Sequence, residues 1–278
     1  MRVAILITAH NRKEKTLSCL EQVGRQIIPP RCNFQVYLVE DGCTDGTTEA
    51  VSVIFPEVAI IHGDGSLFWN RGMWTAWNQA AKEDFDGYIW LNDDTVVYLN
   101  MLKVLLKTSN KFNDQSIIVG PTQDSSHSKL TYGGRYKKGK IANTVGKITK
   151  VDFFNGNIVY IPRNVYQKVG NLDYYYTHSK GDFDYGLRAG KLGINIYQTA
   201  EILGECDLHE DLDSWCNPQV PFRKRWLMLH RPNGMPPKET FYFERKHFNI
   251  LLATFHYFTI YLRCIIPQLW RVKTFYET

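Results

Sequence analysis

Short apolar runs alternate with amphipathic stretches along the first third of the chain. The runs begin at Val3, Val36, Val58 and Tyr88, and each is bounded by polar or glycine-containing turns. Residues 13–26, between the first two runs, place their apolar side chains at the three- and four-residue spacing of a helix. Because strands that alternate with helices favour parallel pairing, we predict an α/β fold with a mostly parallel central sheet flanked by helices.

The pattern is less regular later in the chain. Residues 123–150 are rich in Ser, Gly and Lys and predict a hairpin or loop excursion. Residues 151–161 and 194–197 have strand character, whereas residues 182–191 predict a helix with an acidic first turn, which the helix dipole favours. No linker separates independent domains, but the composition changes after residue 212. We therefore predict a main domain over 1–212 and a basic, aromatic, helical extension over 213–278.

Polar side chains follow three of the predicted strands. They are Thr8, His10, Asn11 and Arg12, then Glu40 and Asp41, then Asn92, Asp93 and Asp94. Ligands of parallel α/β sheets bind outside the carboxyl ends of the strands, so these residues are expected to line one cleft. Adjacent carboxylates suit Mg²⁺ or Mn²⁺, which a diphosphate ligand requires for charge neutralisation. Each acidic stretch taken alone is equally typical of a strand that ends in a turn.

The charge of the chain indicates an anionic partner. Net charge is +5 over 278 residues, and seven of the 33 basic residues fall between positions 223 and 246. Such a local excess fits a membrane surface, a nucleic acid or a polyphosphate. Of these three, we expect no nucleic acid partner. A solvated basic face is the competing interpretation. Aromatic residues, 14% of the chain, are dense at the C-terminal end, which is typical of sugar binding or of an interface.

Two features predict a cytoplasmic location. The six cysteines show no Cys-x-x-Cys pair and no zinc spacing, as expected for reduced thiols. The first apolar run is too short for the apolar core of a signal sequence, and no small-residue cleavage site follows it. These residues are therefore interpreted as the first strand.

Residues 248–266 are long enough to cross a membrane but contain His256, Arg263 and five aromatic residues. An amphipathic helix in the membrane interface is one interpretation, which would make the protein peripheral on the inner face of the cell membrane. A helix packed on the core is the other.

Four segments, in order, resemble the motifs of family 2 glycosyltransferases, which have the Rossmann-like GT-A fold. The segments are residues 3–12, 39–47, 91–95 and 181–193, and the similarity covers about residues 3–212. Departures from the family pattern are His10 for Tyr, Glu40 for Asp, Cys43 for Ser and Gly181 for the first acid of the last motif. The Asn-first motif at Asn92 is similar to that of rhamnosyltransferase-like members.

The resemblance implies a role for each polar residue of the cleft. Asp94 is the expected ligand of Mn²⁺ or Mg²⁺, joined by His209, although His209 is also compatible with a surface loop. Asp93 is expected to face the ribose or the sugar, with Asn92 supporting it, and Asp41 to bind the base of a uracil or thymine nucleotide. The remaining expected donor-binding residues are Thr8, His10, Asn11, Arg12 and Asn78.

Asp182 is the expected catalytic base, because it matches the carboxylate that faces the acceptor hydroxyl in this family. A helix-capping role is the structural alternative, and Asp184 is the substitute base. One base opposite the leaving group implies direct displacement with inversion at the anomeric carbon. Trp69, Trp74 and Trp77 are close in sequence, and at most one of them is expected to contact a ligand.

We therefore expect an inverting, metal-dependent glycosyltransferase. It would move a sugar from a UDP- or dTDP-sugar, such as dTDP-rhamnose, to a hydroxyl of a glycan or lipid-linked glycan in surface polysaccharide synthesis. A nucleotidyltransferase is one alternative, although the turn after the first strand has no glycine-rich phosphate loop. A non-catalytic carbohydrate-binding protein with a decayed transferase fold is the other.

Overall fold

The computed structural model describes residues 1–143, 146–208 and 214–269. Its strands are β1 (Arg2–Ala9), β2 (Asn33–Asp41), β3 (Ala59–Gly63), β4 (Gly87–Leu91), β5 (Val96–Val97), β6 (Ile117–Val119), β7 (Thr122–Gln123), β8 (Gly134–Arg135), β9 (Thr149–Val151), β10 (Phe153–Phe154), β11 (Ile158–Pro162), β12 (Ile196–Gln198) and β13 (Gly204–Glu205). Its helices are α1 (Lys13–Gly24), α2 (Thr47–Ile54), α3 (Phe68–Ala80), α4 (Met101–Asn110), α5 (Arg163–Val169), α6 (Gly181–Lys191), α7 (Phe222–His230), α8 (Pro237–His247) and α9 (Ile250–Ile265), followed by a 3₁₀ turn at Pro267–Leu269.

The main sheet has eight strands in the order β3-β2-β1-β4-β11-β6-β12-β9. The strands β3, β2, β1 and β4 are mutually parallel, whereas β11 and β9 run in the opposite direction. Residues 3–7 of β1 are fully buried, because this strand has neighbours on both sides and helices over both faces. The predicted α/β fold with a mainly parallel sheet is confirmed.

Helices cover the two faces of the sheet with separate apolar cores. On one face, α3, α5 and α6 pack around Trp77, Trp90 and Tyr185. On the other face, α1, α2 and α4 contribute Leu20, Val51 and Leu105. Since α3 runs back along the sheet from the end of β3, its first turn lies at the same sheet edge as the ends of β1, β2 and β4.

Residues 151–161 were predicted to form one strand, but residues 149–162 form three short strands. Thr149–Val151 pairs with β12 at the sheet edge, Phe153–Phe154 pairs with β8, and Ile158–Pro162 lies deep in the sheet. The break falls at Asn155-Gly156-Asn157, residues that favour turns over extended pairing. The short strand β6 and the helices α4 and α5 were not predicted.

The C-terminal helices pack on the main domain and on each other. Trp215, Leu229 and Cys264 are buried in a small cluster between α7 and α9. One face of α9 is packed, whereas Leu251 and Phe258 on the same helix are 80% and 66% exposed. The interpretation of residues 248–266 as a helix packed on the core therefore describes one face of α9. The interpretation as an interfacial helix describes the other face. In the parts of the chain that are described, no helix has the length and apolar character needed to cross a membrane.

Asp184 is the main polar contact between α6 and α8. Its carboxylate is fully buried and accepts hydrogen bonds from Arg188 Nε at 2.7 Å and His247 Nε2 at 2.8 Å. Lys246 Nζ lies 2.7 Å from the same carboxylate. Burial alone would raise the pKa of Asp184, but these donors hold the pKa well below its usual range. Asp184 is therefore a structural anion, and it is not accessible as the substitute base.

Asp184→Ala is expected to lower the free energy of unfolding by about 3–5 kcal/mol, because it leaves buried cations without a partner. Urea denaturation measures this change. Glu21→Ala is the matched control, because Glu21 and Arg25 form an i,i+4 pair with side chains 52% and 59% exposed. That substitution should cost no more than about 0.5 kcal/mol. Equal losses in the two variants would contradict the structural role of Asp184.

Candidate active site

The turns after β1 and β2 are held together by side chains predicted to bind the donor. His10 Nδ1 donates to the main-chain carbonyl of Asp41 at 2.5 Å. Asn11 has a positive φ of 50° and accepts from the backbone N–H of Thr44 at 2.8 Å. Both side chains are exposed, so they shape the rim of the cleft and face solvent there.

Asp41 holds the loop that leads into α3. Its Oδ1 accepts from the backbone N–H of Gly65 and its Oδ2 from that of Phe68, both at 2.8 Å. The side chain is almost fully buried. Asp41 thus fixes the start of α3 at the cleft, and its contact with a nucleotide base stays a prediction.

Thr8 contacts the first half of α3, whereas Asn78 lies near the end of that helix. A Cβ atom on Gly72 would lie 2.2 Å from Thr8 Oγ1, so Thr8 packs directly against the α3 backbone. Asn78 is exposed, and ten residues of helix separate it from Phe68, about 15 Å at 1.5 Å per residue. The structure therefore does not bring Asn78 together with the other predicted donor-binding residues.

Arg12 contacts both carboxylates that follow β4. Its guanidinium donates to Asp94 Oδ2 at 2.9 Å and to Asp93 Oδ1 at 3.3 Å. The side chain of Asp93 is 6% exposed and that of Asp94 is 16% exposed. Burial raises the pKa of Asp93 to about 6, although the positive charge of Arg12 opposes this rise. The turns after β1 and β4 are therefore joined by one cation between two neighbouring anions.

Cys206 lies beside the same carboxylate pair. Its Sγ lies 3.8 Å from Asp94 Oδ1, and it accepts from Asn157 Nδ2 at 3.6 Å. Burial, together with the negative charge of Asp94, raises the pKa of Cys206 to about 12. The thiol is consequently protonated at neutral pH and acts as a weak donor to Asp94.

Trp69 connects the carboxylate pair to the opposite side of the cleft. Its indole Nε1 donates to Asn92 Oδ1 at 2.7 Å, which orients the residue that precedes Asp93. The far edge of the same ring packs so closely on Gly156 that a Cβ there would lie 2.5 Å from the ring. Of the three neighbouring tryptophans, Trp69 faces the cleft, whereas Trp77 is fully buried in the core.

Asp182 begins the acidic helix and lies next to Gly156. Its Oδ2 accepts from the backbone N–H of Gly156 at 3.0 Å, and its Oδ1 accepts from that of Phe183 at 2.8 Å. Burial raises the pKa of Asp182 to about 6, although these two hydrogen bonds and the charge of Arg135 oppose the rise. The carboxylate is therefore ionised at neutral pH, oriented by two amides, and more basic than an ordinary Asp.

The absence of an acid at position 181 has a steric cause. A Cβ atom on Gly181 would lie 1.7 Å from Oδ1 of Asn70, which is fully buried. The amide of Asn70 is fixed there because its Nδ2 donates to the carbonyls of Asp173 at 2.9 Å and Tyr176 at 2.7 Å. Only glycine fits at position 181 in this packing.

Two further residues of the cleft were not identified by the sequence motifs. Arg135 donates to Asn155 Oδ1 at 2.8 Å and its charge acts on Asp182, and His178 lies beside Trp69. His178 Nδ1 lies 3.5 Å from the backbone N–H of Trp69, and the two rings of His178 and Phe68 are 6.1 Å apart. Burial and the charge of Arg12 lower the pKa of His178 to about 4, so its imidazole is neutral. The one sequence signal was the position of His178, four residues before Asp182.

The donor set beside Arg12 fits a hard divalent cation. Two neighbouring carboxylates compensated by a single guanidinium leave a net negative charge, and Mg²⁺ or Mn²⁺ needs few protein ligands when phosphate oxygens and water complete the shell. Across residues 1–143, 146–208 and 214–269, no group of three or more His, Cys, Asp or Glu side chains is arranged to hold a metal. His209, the expected second ligand, lies outside the described residues.

Comparison with known proteins places this cleft in a family. The sequence profile of glycosyl transferase family 2 matches residues 4–170. An uncharacterised glycosyltransferase of Rickettsia felis is 26% identical over 158 residues, which are 56% of this chain. The chain spans only 23% of the length of that relative.

Solved structures with the same architecture include TarS and a mannosyltransferase. Staphylococcus aureus TarS superimposes with a TM-score of 0.57 at 12% identity, over 75% of this chain and 37% of TarS. Residues 1–349 of TarS in complex with UDP-GlcNAc give a TM-score of 0.57 over 76% of this chain and 60% of that one, also at 12% identity.

A mannosyltransferase from Pyrobaculum calidifontis, in complex with GDP-Man and Mn²⁺, gives a TM-score of 0.58 at 13% identity. That likeness covers 98% of this chain and 88% of the mannosyltransferase chain. At these identities the likeness shows the GT-A fold, and the profile match over more than half of the sequence shows the family. The chain belongs to glycosyl transferase family 2.

Proposed function

We propose that the protein transfers a sugar from a nucleoside diphosphate sugar to a hydroxyl acceptor, with a divalent cation and with inversion at the anomeric carbon. The observation that carries the proposal is the connection through Trp69. One end of this side chain contacts Asn92, next to the Asp93–Asp94 pair, and the other packs on Gly156, which binds Asp182. The carboxylate pair and Asp182 thus adjoin one cleft, which supports a cation site and a separate base of the kind a direct displacement requires.

Asp94 is the proposed ligand of Mn²⁺ or Mg²⁺, with His209 as a further candidate. Such an ion supplies neutralisation of the charge that develops on the departing diphosphate. Arg12 is placed to give up its contact with Asp94 when a cation binds there, and its guanidinium would then be free for phosphate oxygens. The exposed side chains of His10 and Asn11 would line the same nucleotide cleft.

Asp182 is the proposed general base. A hydroxyl acceptor in the cleft would donate its proton to this carboxylate as the oxygen attacks the anomeric carbon. A pKa of about 6 keeps Asp182 ionised at neutral pH while making it a stronger proton acceptor than an ordinary Asp.

A UDP- or dTDP-sugar is the proposed donor, with dTDP-rhamnose as one candidate. Solved structures of the same fold that hold UDP-GlcNAc and GDP-Man support a nucleotide-sugar donor. The proposed acceptor is a glycan or lipid-linked glycan of surface polysaccharide synthesis, presented at the inner face of the cell membrane.

The C-terminal helices support a membrane location. Leu251, Phe255 and Phe258 of α9 are 80%, 63% and 66% exposed and lie on one helical face. Trp226 of α7 lies 5.5 Å from Tyr261 of α9, which makes the apolar surfaces of the two helices continuous. Exposed basic residues of α7 adjoin this surface, so an anionic leaflet complements it in both apolar character and charge.

The local structure weakens the decayed-transferase alternative. Glu40, a departure from the family pattern, accepts from His62 Nδ1 at 2.6 Å and from the backbone N–H of Cys43 at 2.9 Å. Gly181, the other main departure, is required by its contact with Asn70. These substitutions are accommodated by packing around the cleft, and the carboxylates Asp94 and Asp182 are kept.

The base assignment predicts that Asp182→Asn lowers the rate of nucleoside diphosphate release about 10²- to 10⁴-fold while donor binding is unchanged. In the wild type the rate should rise with pH through about 6 and then level off, because the ionised carboxylate is the active form. Asp84→Asn, an 86% exposed carboxylate before β4, is the control and should leave the rate unchanged. A rate near wild type in Asp182→Asn would contradict the assignment.

The cation site predicts opposite effects for two neighbouring variants. Without nucleotide, Asp94→Asn should weaken Mn²⁺ binding at least about tenfold, because a ligand is lost. Arg12→Ala should tighten Mn²⁺ binding several-fold, because a competing cation is removed. Electron paramagnetic resonance of free Mn²⁺ measures both. Arg25→Ala is the control for loss of a surface charge, and unchanged binding in all three variants would place the metal elsewhere.

The membrane surface is tested by replacing Leu251, Phe255 and Phe258 together with Ser. Cosedimentation with phosphatidylserine vesicles should fall at least about tenfold, since burial of one such side chain contributes roughly 1.5–3 kcal/mol. The matched control replaces Ile27, Val53 and Ile54, which are 50%, 80% and 56% exposed on the main domain, with Ser. Equal binding by the two variants would show that α9 does not contact the bilayer.

A further inference from the structure

A second concave site, which we call the tyrosine groove, lies between α8, α9 and the segment before α6. Its volume is about 420 Å³, and it is lined by Tyr175, Lys238, Phe241, Tyr242, Arg245 and Tyr257. None of these residues belongs to the nucleotide cleft. The groove therefore requires an explanation separate from donor binding.

The two cations of the groove are available for a ligand. Lys238 and Arg245 are exposed, and neither forms an ion pair with any residue that the structure describes. They are seven positions apart on α8, so they project from the same face of the helix. The neighbouring Lys246, in contrast, is paired with Asp173 and Asp184 at 2.7 Å each. Within the part of the chain that the structure describes, the groove thus carries two positive charges without an ion-pair partner.

Aromatic rings form the remaining walls. The rings of Tyr175 and Tyr242 are 4.1 Å apart and inclined by 30°, and the rings of Phe241 and Tyr257 are 5.8 Å apart. The hydroxyl of Tyr242 donates to Asp173 at 3.0 Å, which fixes its ring. Flat amphipathic surfaces beside cations suit a ligand that joins a phosphate to a sugar ring or to an apolar chain.

The position of the groove connects the membrane surface to the active site. Tyr257 belongs to α9, and its ring lies 5.9 Å from the ring of Phe258, which is part of the exposed apolar face. On the other side, Tyr175 is three residues from His178, which limits their Cα separation to about 11 Å. Glu239 of α8 accepts from Thr177 Oγ1 at 2.8 Å and holds this segment against the helix.

We propose that the tyrosine groove binds the diphosphate of a membrane-anchored acceptor lipid and so delivers the attached glycan to Asp182. This inference rests on the proposed transferase function for the fate of the glycan. Recognition of the diphosphate itself depends only on Lys238, Arg245 and the aromatic walls, so it is testable without donor or turnover.

The experiment compares two sets of phosphatidylcholine vesicles with equal surface charge. One set contains a long-chain alkyl diphosphate and the other contains phosphatidylserine. The wild type should bind the diphosphate vesicles at least about tenfold more tightly, because one diphosphate headgroup offers Lys238 and Arg245 more charge and more acceptor oxygens than one phosphatidylserine does. Lys238→Ala/Arg245→Ala should lose this preference. Arg223→Ala/Lys224→Ala is the matched control, because it removes two exposed charges of α7 and should keep the preference.

Inorganic pyrophosphate, added with EDTA, distinguishes a lipid from a free phosphate ligand. Competition by pyrophosphate together with a vesicle preference supports the proposal. Pyrophosphate binding without any vesicle preference would assign the groove to a soluble phosphate and overturn the lipid source. Equal binding to both vesicle sets, or equal losses in both double variants, would contradict the proposal. Lys238 and Arg245 would then act only through the general charge of the surface. Failure of nucleotide binding would affect only the transferase proposal, because none of these measurements uses a nucleotide.

Discussion

The contact of Arg12 with Asp93 and Asp94 is the interaction on which the cleft depends. It exists because β1 lies between β2 and β4 in parallel register, so that the turn after β1 and the turn after β4 end at the same sheet edge. Two neighbouring carboxylates at 6% and 16% exposure would repel each other without a cation between them. The guanidinium of Arg12 offsets this repulsion and holds the turns after β1 and β4 together.

Around this pair, a series of contacts fixes the positions of the residues proposed to bind a ligand. Asp41 fixes the start of α3, the first turn of α3 carries Trp69, and Trp69 orients Asn92 and packs on Gly156. Gly156 in turn donates to Asp182. The cleft is therefore one connected set of contacts, in which displacement of the loop at residues 65–68 would reach both the cation site and the base.

The sequence predicted the sheet and the cleft better than the surroundings of the cleft. Continuous apolar runs ending in polar residues identify parallel strands and the edge where their ligands bind, which is why Arg12, Asp93 and Asp94 were predicted to lie at one cleft. Asp182 was predicted from its match to a family motif. Asn78 was chosen by family likeness, yet it lies about 15 Å along α3 from the cleft, because motif position carries no information on helix direction. The places of His178 and Arg135 at the cleft depend on contacts between distant segments, and so does the structural role of Asp184. The periodicity of the sequence does not reveal such contacts. The C-terminal helices show the same limit of sequence-based prediction. The apolar pattern of residues 248–266 includes both the packed and the exposed face of α9 and does not distinguish them.

The affinity of nucleoside diphosphates with and without metal tests the proposed function most directly. Calorimetric titration of the folded protein with UDP, dTDP, GDP and CDP, each in Mn²⁺ and in EDTA, separates the contributions of base and metal. We expect one uracil or thymine nucleotide to bind in Mn²⁺ and to lose most of its affinity in EDTA. Absence of binding by all four nucleotides, or equal affinity in Mn²⁺ and EDTA, would contradict a metal-dependent transferase.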